Sequence, residues 1–466
     1  MSFLGIDVGT SGCKAAVFSP AGRVLASAYE EYDMARPRPG WAELDPDDVW
    51  ARVRRTVATA VDAARGDPVR ALAVSSMGEA MVPMSADRRI LGPSLLMNDG
   101  RGEEYVPSLA SAIGAGRLHR INGNVLGGQY SLPKLMWTRD HSPDVYAGAW
   151  KFLPWSGFVA FMLGAEATAD WSLAGRTLLF DVDARRWSEE IASAAGVDLG
   201  KLPGLAPTGS RIGTVDPRVA AELGLPRDTP IVAGSHDQCA NAVGCGVVDE
   251  GLGMIGLGSW LCIVPVFAGR RPTGTLLPLG LNVECHAVPD RFVTFLYNQG
   301  GLLLKWYRDT FARADREAAA HAGTDVYTAL AAETPEGPSS VLVLPHFTVT
   351  GPPEFLSGSS GAILGLTLET SRADILKGIM EGAVFYHRAL VDALAGTGIR
   401  MRELRVVGGG SRSETWPRIA ADILGLPLVA TAVSEAGTLG AAIIAAAGAG
   451  EFSSIAEGAA AMVSTC

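Results

Sequence analysis

Short apolar runs alternate with glycine turns at the N-terminus, a pattern typical of β-hairpins. The strands are "FLGIDV" (3–8) and "CKAAVFS" (13–19), joined by "GTSG", and "PAG" then leads into "RVLASAYEEY". The same pattern returns in "GMIGLGSWLCIVPVFAG" (253–269). Laying Ile6–Phe18 over Ile255–Phe267 gives a constant offset of 249 (255 − 6), which sets Thr10 opposite Ser259.

Each copy of this hairpin is followed by further strands and Ala-rich helices, which predicts two related α/β domains. The glycine-rich "GCGVVDEGLG" marks the boundary, with one domain over 1–247 and the other over 248–466. Backbone N–H groups and hydroxyls at such turns suit phosphate oxygens. Two turns from two domains would therefore face one polyphosphate across a cleft.

Charge and composition narrow the function. The 466 residues carry a net charge of −10 without a basic run, which argues against nucleic acid as a partner. No apolar stretch resembles a membrane span and no signal peptide precedes "FLGIDVG", so we expect a cytoplasmic protein with no membrane association. The six cysteines lack CxxC or Cys/His spacing, which predicts buried thiols in a reducing compartment.

Asp7 is followed by Thr10, Ser11 and Lys14. An aspartate at the end of a strand can simply cap the turn. With two hydroxyls and a lysine beside it, a site for magnesium-bound phosphates is the better interpretation, because the carboxylate would hold the hydrated metal.

Three further segments could either contact a ligand or serve close packing. "RVVGGGSRSETWPRIAADILGLPLV" (405–429) predicts a strand, a glycine loop and a helix, where backbone can approach a ligand. "SEAGTLGAAIIAAAGAG" (434–450) predicts a close-packed small-residue helix. In "PGWAELDPDDVW" (39–50), Asp45-Pro46 begins a helix, and Trp41 either faces a ligand or staples that helix onto the sheet.

"GSHDQ" (234–238) has the residue types of a hydrolase triad. A triad needs the histidine between the other two groups. Adjacent residues of an extended segment point to alternating sides, so Ser235, His236 and Asp237 do not converge in that way. The sequence leaves Asp237 as one candidate base on a glycine-rich turn, and His236 as a flanking residue that shapes the pocket.

Taken together, the motifs resemble the FGGY carbohydrate kinases over nearly the whole chain. The segments that carry the resemblance are "DVGTSGCK" (7–14), "PGWAELDPDDVW" (39–50), "NDGR" (98–101), "LPKLMW" (132–137), "GSHDQ" (234–238), "GLGSW" (256–260), "GGLLLKW" (300–306) and "GGGSRSETW" (408–416). The resemblance implies an α/β fold of two actin-like (ribonuclease H-like) ATPase domains with an interdomain cleft. The N-terminal domain would bind the sugar and the C-terminal domain the nucleotide.

The family's residue roles carry over by position. Asp237 would be the general base, ionised at neutral pH with an ordinary pKa of about 3.9, and Asp7 would be the magnesium-associated aspartate. The resemblance places ATP against Thr10, Ser11, Lys14, Ser259, Gly301, Gly409, Gly410 and Ser413. It places the sugar against Trp41, Glu79, Asp99, Arg101 and His236.

Departures from the family pattern bear on the substrate. Gly78 stands where glycerol kinases carry arginine, Met97 replaces a frequent tryptophan, and Gln129 stands where glycerol kinases use tyrosine. The resemblance therefore implies an ATP-dependent kinase for a small ketose, a xylulose-like pentulose. The alternatives are a kinase for another polyol or sugar acid (erythritol, glycerol, gluconate), or an actin-like ATPase without a sugar substrate. A homodimer is left open, since dimers occur in the family and no residue here argues for one.

Overall fold

The computed structural model describes residues 1–432 and 435–465. Two mixed β-sheets organise the described chain, one drawn from its first half and one from its second. The first-half strands are β1 Ser2–Val8, β2 Gly12–Phe18, β3 Val24–Glu31, β4 Glu43–Leu44, β5 Val69–Ser76, β6 Met81–Met84, β7 Ser94–Leu95, β8 Lys151–Pro154, β9 Thr168–Asp170, β10 Phe180–Asp181, β11 Arg186–Trp187, β12 Gly204–Ala206, β13 Arg211–Thr214 and β14 Pro230–His236. The first-half helices are α1 Pro46–Ala63, α2 Val106–Ala112, α3 Ala115–Asn122, α4 Ser131–His141, α5 Pro143–Gly148, α6 Trp155–Leu163, α7 Trp171–Gly175, α8 Glu189–Ala195, α9 Pro217–Leu223 and α10 Asp237–Gly244.

The second half repeats this alternation. Its strands are β15 Leu252–Leu257, β16 Trp260–Ala268, β17 Glu284–Cys285, β18 Arg291–Val293, β19 Leu296–Gln299, β20 Leu342–Leu344, β21 Ala362–Leu364, β22 Glu403–Val407 and β23 Leu428–Ala430. Its helices are α11 Thr273–Leu276, α12 Gly301–Phe311, α13 Arg313–Ala322, α14 Val326–Ala332, α15 Arg372–Gly396, α16 Thr415–Leu424, α17 Ala436–Gly448 and α18 Ile455–Met462.

The two sheets share one topology. The first runs β13-β14-β5-β1-β2-β3 and the second β17-β18-β16-β15-β22-β23, with β19 also paired to β16. In each, an antiparallel hairpin (β1–β2, β15–β16) is extended by parallel strands on the side of its first strand. The internal repeat predicted from the hairpins is therefore present, and each sheet has the strand plan expected of an actin-like domain.

The repeat is not exact at the second turn. Val8 pairs with Cys13 across the first hairpin, and its equivalent Leu257 pairs with Leu261. The constant offset of 249 had set Cys13 opposite Cys262, one residue further on. The second turn is one residue shorter than the first, and identical residue types alone could not reveal the missing position.

Helix α1 begins where the sequence predicts. Asp45 Oδ1 accepts a hydrogen bond of 3.0 Å from the Asp47 backbone N–H, and Pro46 occupies the first turn. The buried residues Val49, Val53 and Val57 recur every fourth position and pack the helix on β2 and β3. This fixes the loop that carries Trp41 at one end of the first sheet.

Helix α17 joins the two halves of the molecule. It packs along α10 and across β1 and β5 of the first sheet, although it comes from the end of the chain. Small residues permit this approach, because a Cβ at Gly5 would lie 1.8 Å from the Thr438 carbonyl oxygen and one at Gly440 would lie 1.9 Å from the Ala240 oxygen. The predicted small-residue helix is confirmed over Ala436–Gly448, and Ser434 lies outside the described residues.

Replacing Gly440 with alanine is expected to lower stability by about 1–3 kcal/mol, because helix α17 must shift away from α10. Thermal and urea unfolding of the variant measure this loss. Gly396→Ala is the matched control, since no heavy atom lies within 4 Å of a Cβ at that exposed helix end. The control should unfold at or slightly above the wild-type midpoint, whereas an unchanged midpoint in Gly440→Ala would contradict the packing described here.

Across residues 1–432 and 435–465, no helix combines the length and apolarity that a membrane crossing requires. Cys13, Cys239, Cys245, Cys262 and Cys285 are free thiols, and all except Cys262 are buried. Cys466 lies outside the described residues.

Candidate active site

The first polar turn lies between β1 and β2. Asp7 precedes it, partly exposed, and its Oδ1 accepts a 2.8 Å hydrogen bond from Ser75 Oγ. Burial and the nearby Asp237 carboxylate raise the pKa of Asp7 to about 7, against the opposing effects of Ser75 and Lys14. An Asp7 carboxylate in this setting is stabilised by any cation that approaches it.

The turn itself is held closed by backbone contacts. The Gly9 N–H donates to the Gly12 carbonyl at 3.0 Å, and the Tyr32 hydroxyl donates to the Gly9 carbonyl at 2.6 Å. Thr10 is half-buried with its hydroxyl 4.0 Å from Met77 Sδ, and Ser11 is exposed. Lys14 pairs with Glu435, which precedes α17. The turn therefore carries one half-buried and one exposed hydroxyl, with its lysine in an ion pair across the two halves.

The second polar turn, Gly258–Ser259, receives the start of α12. The Gly301 N–H donates to the Gly258 carbonyl at 2.8 Å, and the Leu302 N–H donates to the Ser259 carbonyl at 3.1 Å. A Cβ at Gly301 would lie 2.7 Å from the Gly258 oxygen, so this position requires glycine. Gly301 thus locks the helix onto the turn, and a direct nucleotide contact for it stays a prediction.

The glycine loop lies against the end of β15. Gly408 has a φ of +91°, and a Cβ there would lie 3.1 Å from the Leu257 backbone. A Cβ at Gly410 would meet Leu257 and the Trp416 ring at 2.8 Å, whereas nothing lies within 4 Å of one at Gly409. Ser413 Oγ accepts a 3.3 Å hydrogen bond from the Thr415 N–H. Gly410 is explained by packing, and Gly409 faces open space beside the second turn.

Asp237 stands at a junction of strand and helix. β14 ends at His236 and α10 begins at Asp237, so the backbone direction changes between them. His236 Nε2 lies 3.3 Å from Asp237 Oδ1, and its Nδ1 lies 2.8 Å from Glu284 Oε1. The expectation that these two neighbours point to different sides is wrong, because it assumed a continuous strand.

The hydrolase interpretation stays excluded on different grounds. The Ser235 hydroxyl donates to the backbone carbonyl of His236 at 3.2 Å. Both imidazole nitrogens face carboxylates, one of Asp237 and one of Glu284. A nucleophilic serine needs the imidazole as its hydrogen-bond partner, and Ser235 does not have it.

Burial and mutual charge shift both pKa values. Burial by itself lowers the pKa of His236, but Glu284 and Asp237 outweigh it and raise the value to about 9. Burial raises the pKa of Asp237 above its ordinary range, with His236 opposing and Glu79 adding to the rise. The sequence predicted an ordinary pKa for Asp237. That prediction is wrong, because the sequence alone does not show that burial raises the value.

Glu79 lies beside this pair in a strained backbone conformation. Its φ is +63°, unusual for a residue with a side chain, and strain of this kind clusters at functional sites. A Cβ at the preceding Gly78 would lie 3.0 Å from His236 Nε2. Glu79 Oε1 accepts a 2.7 Å hydrogen bond from Arg176 Nε. The segment 78–79 thus packs against His236, the neighbour of the candidate base.

Asp99, Arg101 and Trp41 are linked by an ion pair and a cation–π contact. Asp99 is buried and accepts hydrogen bonds from the Ala42 N–H (2.6 Å) and from Arg101 Nε and Nη2 (2.9 and 2.6 Å). The Arg101 guanidinium also bonds Glu43 Oε2 at 2.6 Å and lies 3.9 Å from the centre of the Trp41 ring. Asp99 therefore holds Arg101, which holds Trp41, and a direct sugar contact for Asp99 stays a prediction.

Trp41 and Arg101 border a cavity of about 370 Å³, which Asp99 does not line. Trp41, Glu79 and Arg101 are among its walls, so it brings together most of the predicted sugar-side residues. Asp237 is not among its lining residues, and Glu79 is what connects the cavity to the His236–Asp237 pair.

Three residues at this site were missed from the sequence. Lys134 is buried and donates to the carbonyls of Asp99, Gly128 and Arg101, which fixes the 99–101 loop; burial lowers its pKa to about 8. Arg176 and Glu284 join the Glu79 and His236 side chains. Only Lys134 lay in a motif, and the available signal was a lysine among the apolar residues of "LPKLMW".

His236, Cys239 and Glu284 offer donor atoms within 4.8 Å of one another, a spacing that a metal ion could use. Glu284 already faces two basic side chains, His236 at 2.8 Å and Arg176 at 3.4 Å. This charge balance makes the cluster a buried ion-pair network rather than a metal centre. Asp7 fits Mg²⁺ better, since it is a partly exposed hard oxygen donor with a second carboxylate, Asp237, nearby.

Comparison with known proteins agrees with this geometry. Residues 2–244 match the N-terminal domain of the FGGY family of carbohydrate kinases, and residues 278–449 match its C-terminal domain. The chain belongs to the FGGY family of carbohydrate kinases. It is thus an ATP-dependent phosphotransferase, with two α/β domains that share the family's fold.

Individual relatives align with nearly the whole of this FGGY kinase chain. It is 28% identical to a xylulose kinase of Escherichia coli (strain K12), covering 95% of this chain and 89% of the relative. It is 30% identical to a glycerol kinase of Acidovorax ebreus (strain TPSY), covering 97% and 92%. The crystal structure of a xylulose kinase from Rhodospirillum rubrum superposes with a TM-score of 0.88 at 26% identity, covering 100% and 93%.

Proposed function

We propose that this FGGY kinase transfers the γ-phosphoryl group of ATP to a hydroxyl of a small ketose, a xylulose-like pentulose, with Asp237 as the general base. The observation that carries the proposal is the position of Asp237. It lies 3.3 Å from an imidazole, beside the Glu79 segment, and close enough to Asp7 to raise that carboxyl's pKa. A sugar hydroxyl between Glu79 and Asp7 would meet Asp237 and a phosphate together.

The reaction needs positioning and charge neutralisation more than covalent chemistry. Asp237 takes the hydroxyl proton as the sugar oxygen attacks the γ-phosphorus and ADP leaves. The sugar-side contacts are proposed for Trp41, Glu79, Asp99, Arg101 and His236. Asp99 acts through Arg101, in keeping with their buried ion pair.

ATP lies between the two polar turns in this proposal. Its phosphates face Thr10, Ser11, Lys14 and Ser259, and its adenosine lies by Gly301, Gly409, Gly410 and Ser413. The open space at Gly409 supports an approach of the ligand to the backbone there. Lys14 reaches a phosphate by giving up its ion pair with Glu435.

Asp7 is the proposed holder of Mg²⁺, with the negative charge of the nearby Asp237 as support. When bound, the ion neutralises charge on the transferring phosphates. Ser75 orients the Asp7 carboxylate through its hydrogen bond.

The absence of the glycerol-kinase arginine at Gly78 favours a ketose over glycerol. Glycerol kinases carry arginine at the position of Gly78, and a Cβ there would already approach His236 Nε2 to 3.0 Å. The xylulose kinases of Escherichia coli and Rhodospirillum rubrum support the pentulose over the alternatives, another polyol, a sugar acid or a sugar-independent ATPase. The division into domains 1–247 and 248–466, a cytoplasmic location and a homodimer stay predictions.

A coupled assay of ADP release tests this proposal. The panel holds xylulose, ribulose, glycerol, erythritol and gluconate, each at the same concentration with Mg²⁺ and ATP. We expect xylulose to stimulate ADP release most strongly over the sugar-free rate. Stronger stimulation by glycerol, erythritol or gluconate would contradict the ketose assignment, and equal release without any sugar would favour the ATPase.

A further inference from the structure

Five charged groups form an alternating chain through the base of the site. Glu79 pairs with Arg176, whose Nη1 lies 3.4 Å from Glu284 Oε2. Glu284 Oε1 lies 2.8 Å from His236 Nδ1, and His236 Nε2 lies 3.3 Å from Asp237 Oδ1. Negative and positive groups alternate along the whole chain, and it ends on the proposed base.

Glu284 is the central member and comes from the second half of the protein. It lies on β17, whereas the other four side chains come from the first half. Its carboxylate is wholly buried, with Cys239 Sγ donating to Oε1 at 3.5 Å as a further contact. A buried carboxylate is costly unless positive groups and hydrogen bonds surround it. Glu284 therefore favours a protonated His236.

Other groups around His236 modify this balance without reversing it. Asp170, at the end of β9, adds a further carboxyl, although burial raises its pKa to about 6. Arg176 opposes a second cation. Cys239 and Cys285 have thiol pKa values raised by burial, which keeps them neutral. His236 consequently sits among more negative than positive groups.

We propose that Glu284 is a positioning residue that the second half of the chain supplies to the base. It holds His236 as an imidazolium whose Nε2–H faces Asp237, which keeps the Asp237 carboxylate ionised and oriented toward the sugar hydroxyl. During transfer the hydroxyl proton passes to Asp237 as the oxygen–phosphorus bond forms and the bond to the ADP oxygen breaks. His236 keeps its proton throughout. This inference rests on the proposed role of Asp237.

The proposal has a pH signature. With a pKa of about 9, His236 is an imidazolium throughout the neutral range and loses its charge only above that value. Removing the Glu284 charge should return the pKa of His236 toward its ordinary value of about 6.5. The imidazolium fraction would then fall about 30-fold near pH 8 but less than about twofold near pH 6.

Glu284→Gln tests the proposal, because it keeps the side-chain shape and removes the charge. We expect kcat/KM for the sugar to fall about 30-fold near pH 8 and by less than about threefold near pH 6, with KM for ATP unchanged. A merely structural role would lower the rate by the same factor at both pH values, and that result overturns the proposal. Glu381→Gln is the control, since Glu381 is buried in the same half, accepts from the Ser339 N–H and is not among the charged groups that act on His236; it should keep the wild-type profile.

A second measurement does not depend on activity or on Glu284→Gln folding. NMR titration of imidazole-labelled wild-type protein gives the pKa of His236, assigned by the signal missing from His236→Gln. A midpoint above about pH 8 supports the proposal, and a midpoint at or below it overturns the proposal. This readout needs no substrate, so it separates a failure of this inference from a failure of the proposed kinase reaction.

Discussion

Replacing Asp237 with asparagine is expected to lower turnover about 10³-fold while ATP and sugar still bind. The amide keeps the size of the side chain and its place at the start of α10, but it cannot take the hydroxyl proton. The loss should appear in kcat rather than in either KM. Steady-state kinetics with the preferred sugar, together with binding of ATP and sugar by calorimetry, measure both quantities.

The control for this variant is Asp216→Asn. Asp216 caps α9 by accepting a 2.8 Å hydrogen bond from the Arg218 N–H, and it is exposed in the same half of the chain. The control makes the same chemical change and should keep turnover within about twofold. Wild-type turnover in Asp237→Asn would refute the assignment of the base.

Replacing Asp7 with alanine should have the second largest effect. We expect kcat/KM for Mg-ATP to fall about 10²-fold, because the carboxylate proposed to hold Mg²⁺ beside the phosphates is gone. KM for the sugar should stay within about threefold of the wild-type value, since Glu79, Trp41 and Arg101 remain. Initial rates over a range of ATP at fixed Mg²⁺, and over a range of Mg²⁺ at fixed ATP, measure the effect.

Ser75→Ala is the matched variant, because it removes the hydrogen bond to Asp7 and keeps the carboxylate. Its loss in kcat/KM for Mg-ATP should stay below about tenfold. If Asp7→Ala raised KM for the sugar and left kcat/KM for Mg-ATP unchanged, Asp7 would bind the sugar and not the Mg-ATP.

The fold could be predicted largely because its signals are local. Alternating strands and glycine turns repeat in both halves, and Asp45-Pro46 marks the start of α1. The two errors lie at a turn and at a strand end, where the local sequence pattern no longer determines the backbone. The second turn is one residue shorter than the first, and His236 meets Asp237 because the strand ends between them.

The candidate site was predictable only in part, for a related reason. Asp7 and Asp237 lie in motifs and Glu79 was assigned by the family resemblance, and the structure brings the three to one region. Arg176 and Glu284 are 108 positions apart (284 − 176) and belong to no motif, so their ion pair exists only in the folded chain. The hydrogen bonds that Asp99 accepts from Arg101 and Ala42 also could not be predicted, and its sugar contact stays a prediction.

Direct detection of a sugar phosphate tests the central claim most sharply. Wild-type protein, xylulose, Mg²⁺ and ATP are incubated, and the products are resolved by ³¹P NMR and mass spectrometry. The account predicts equal amounts of ADP and one xylulose monophosphate with the wild type, and neither with Asp237→Asn beyond the sugar-free background. ADP without any phosphorylated sugar, or equal product from Asp237→Asn, would contradict it.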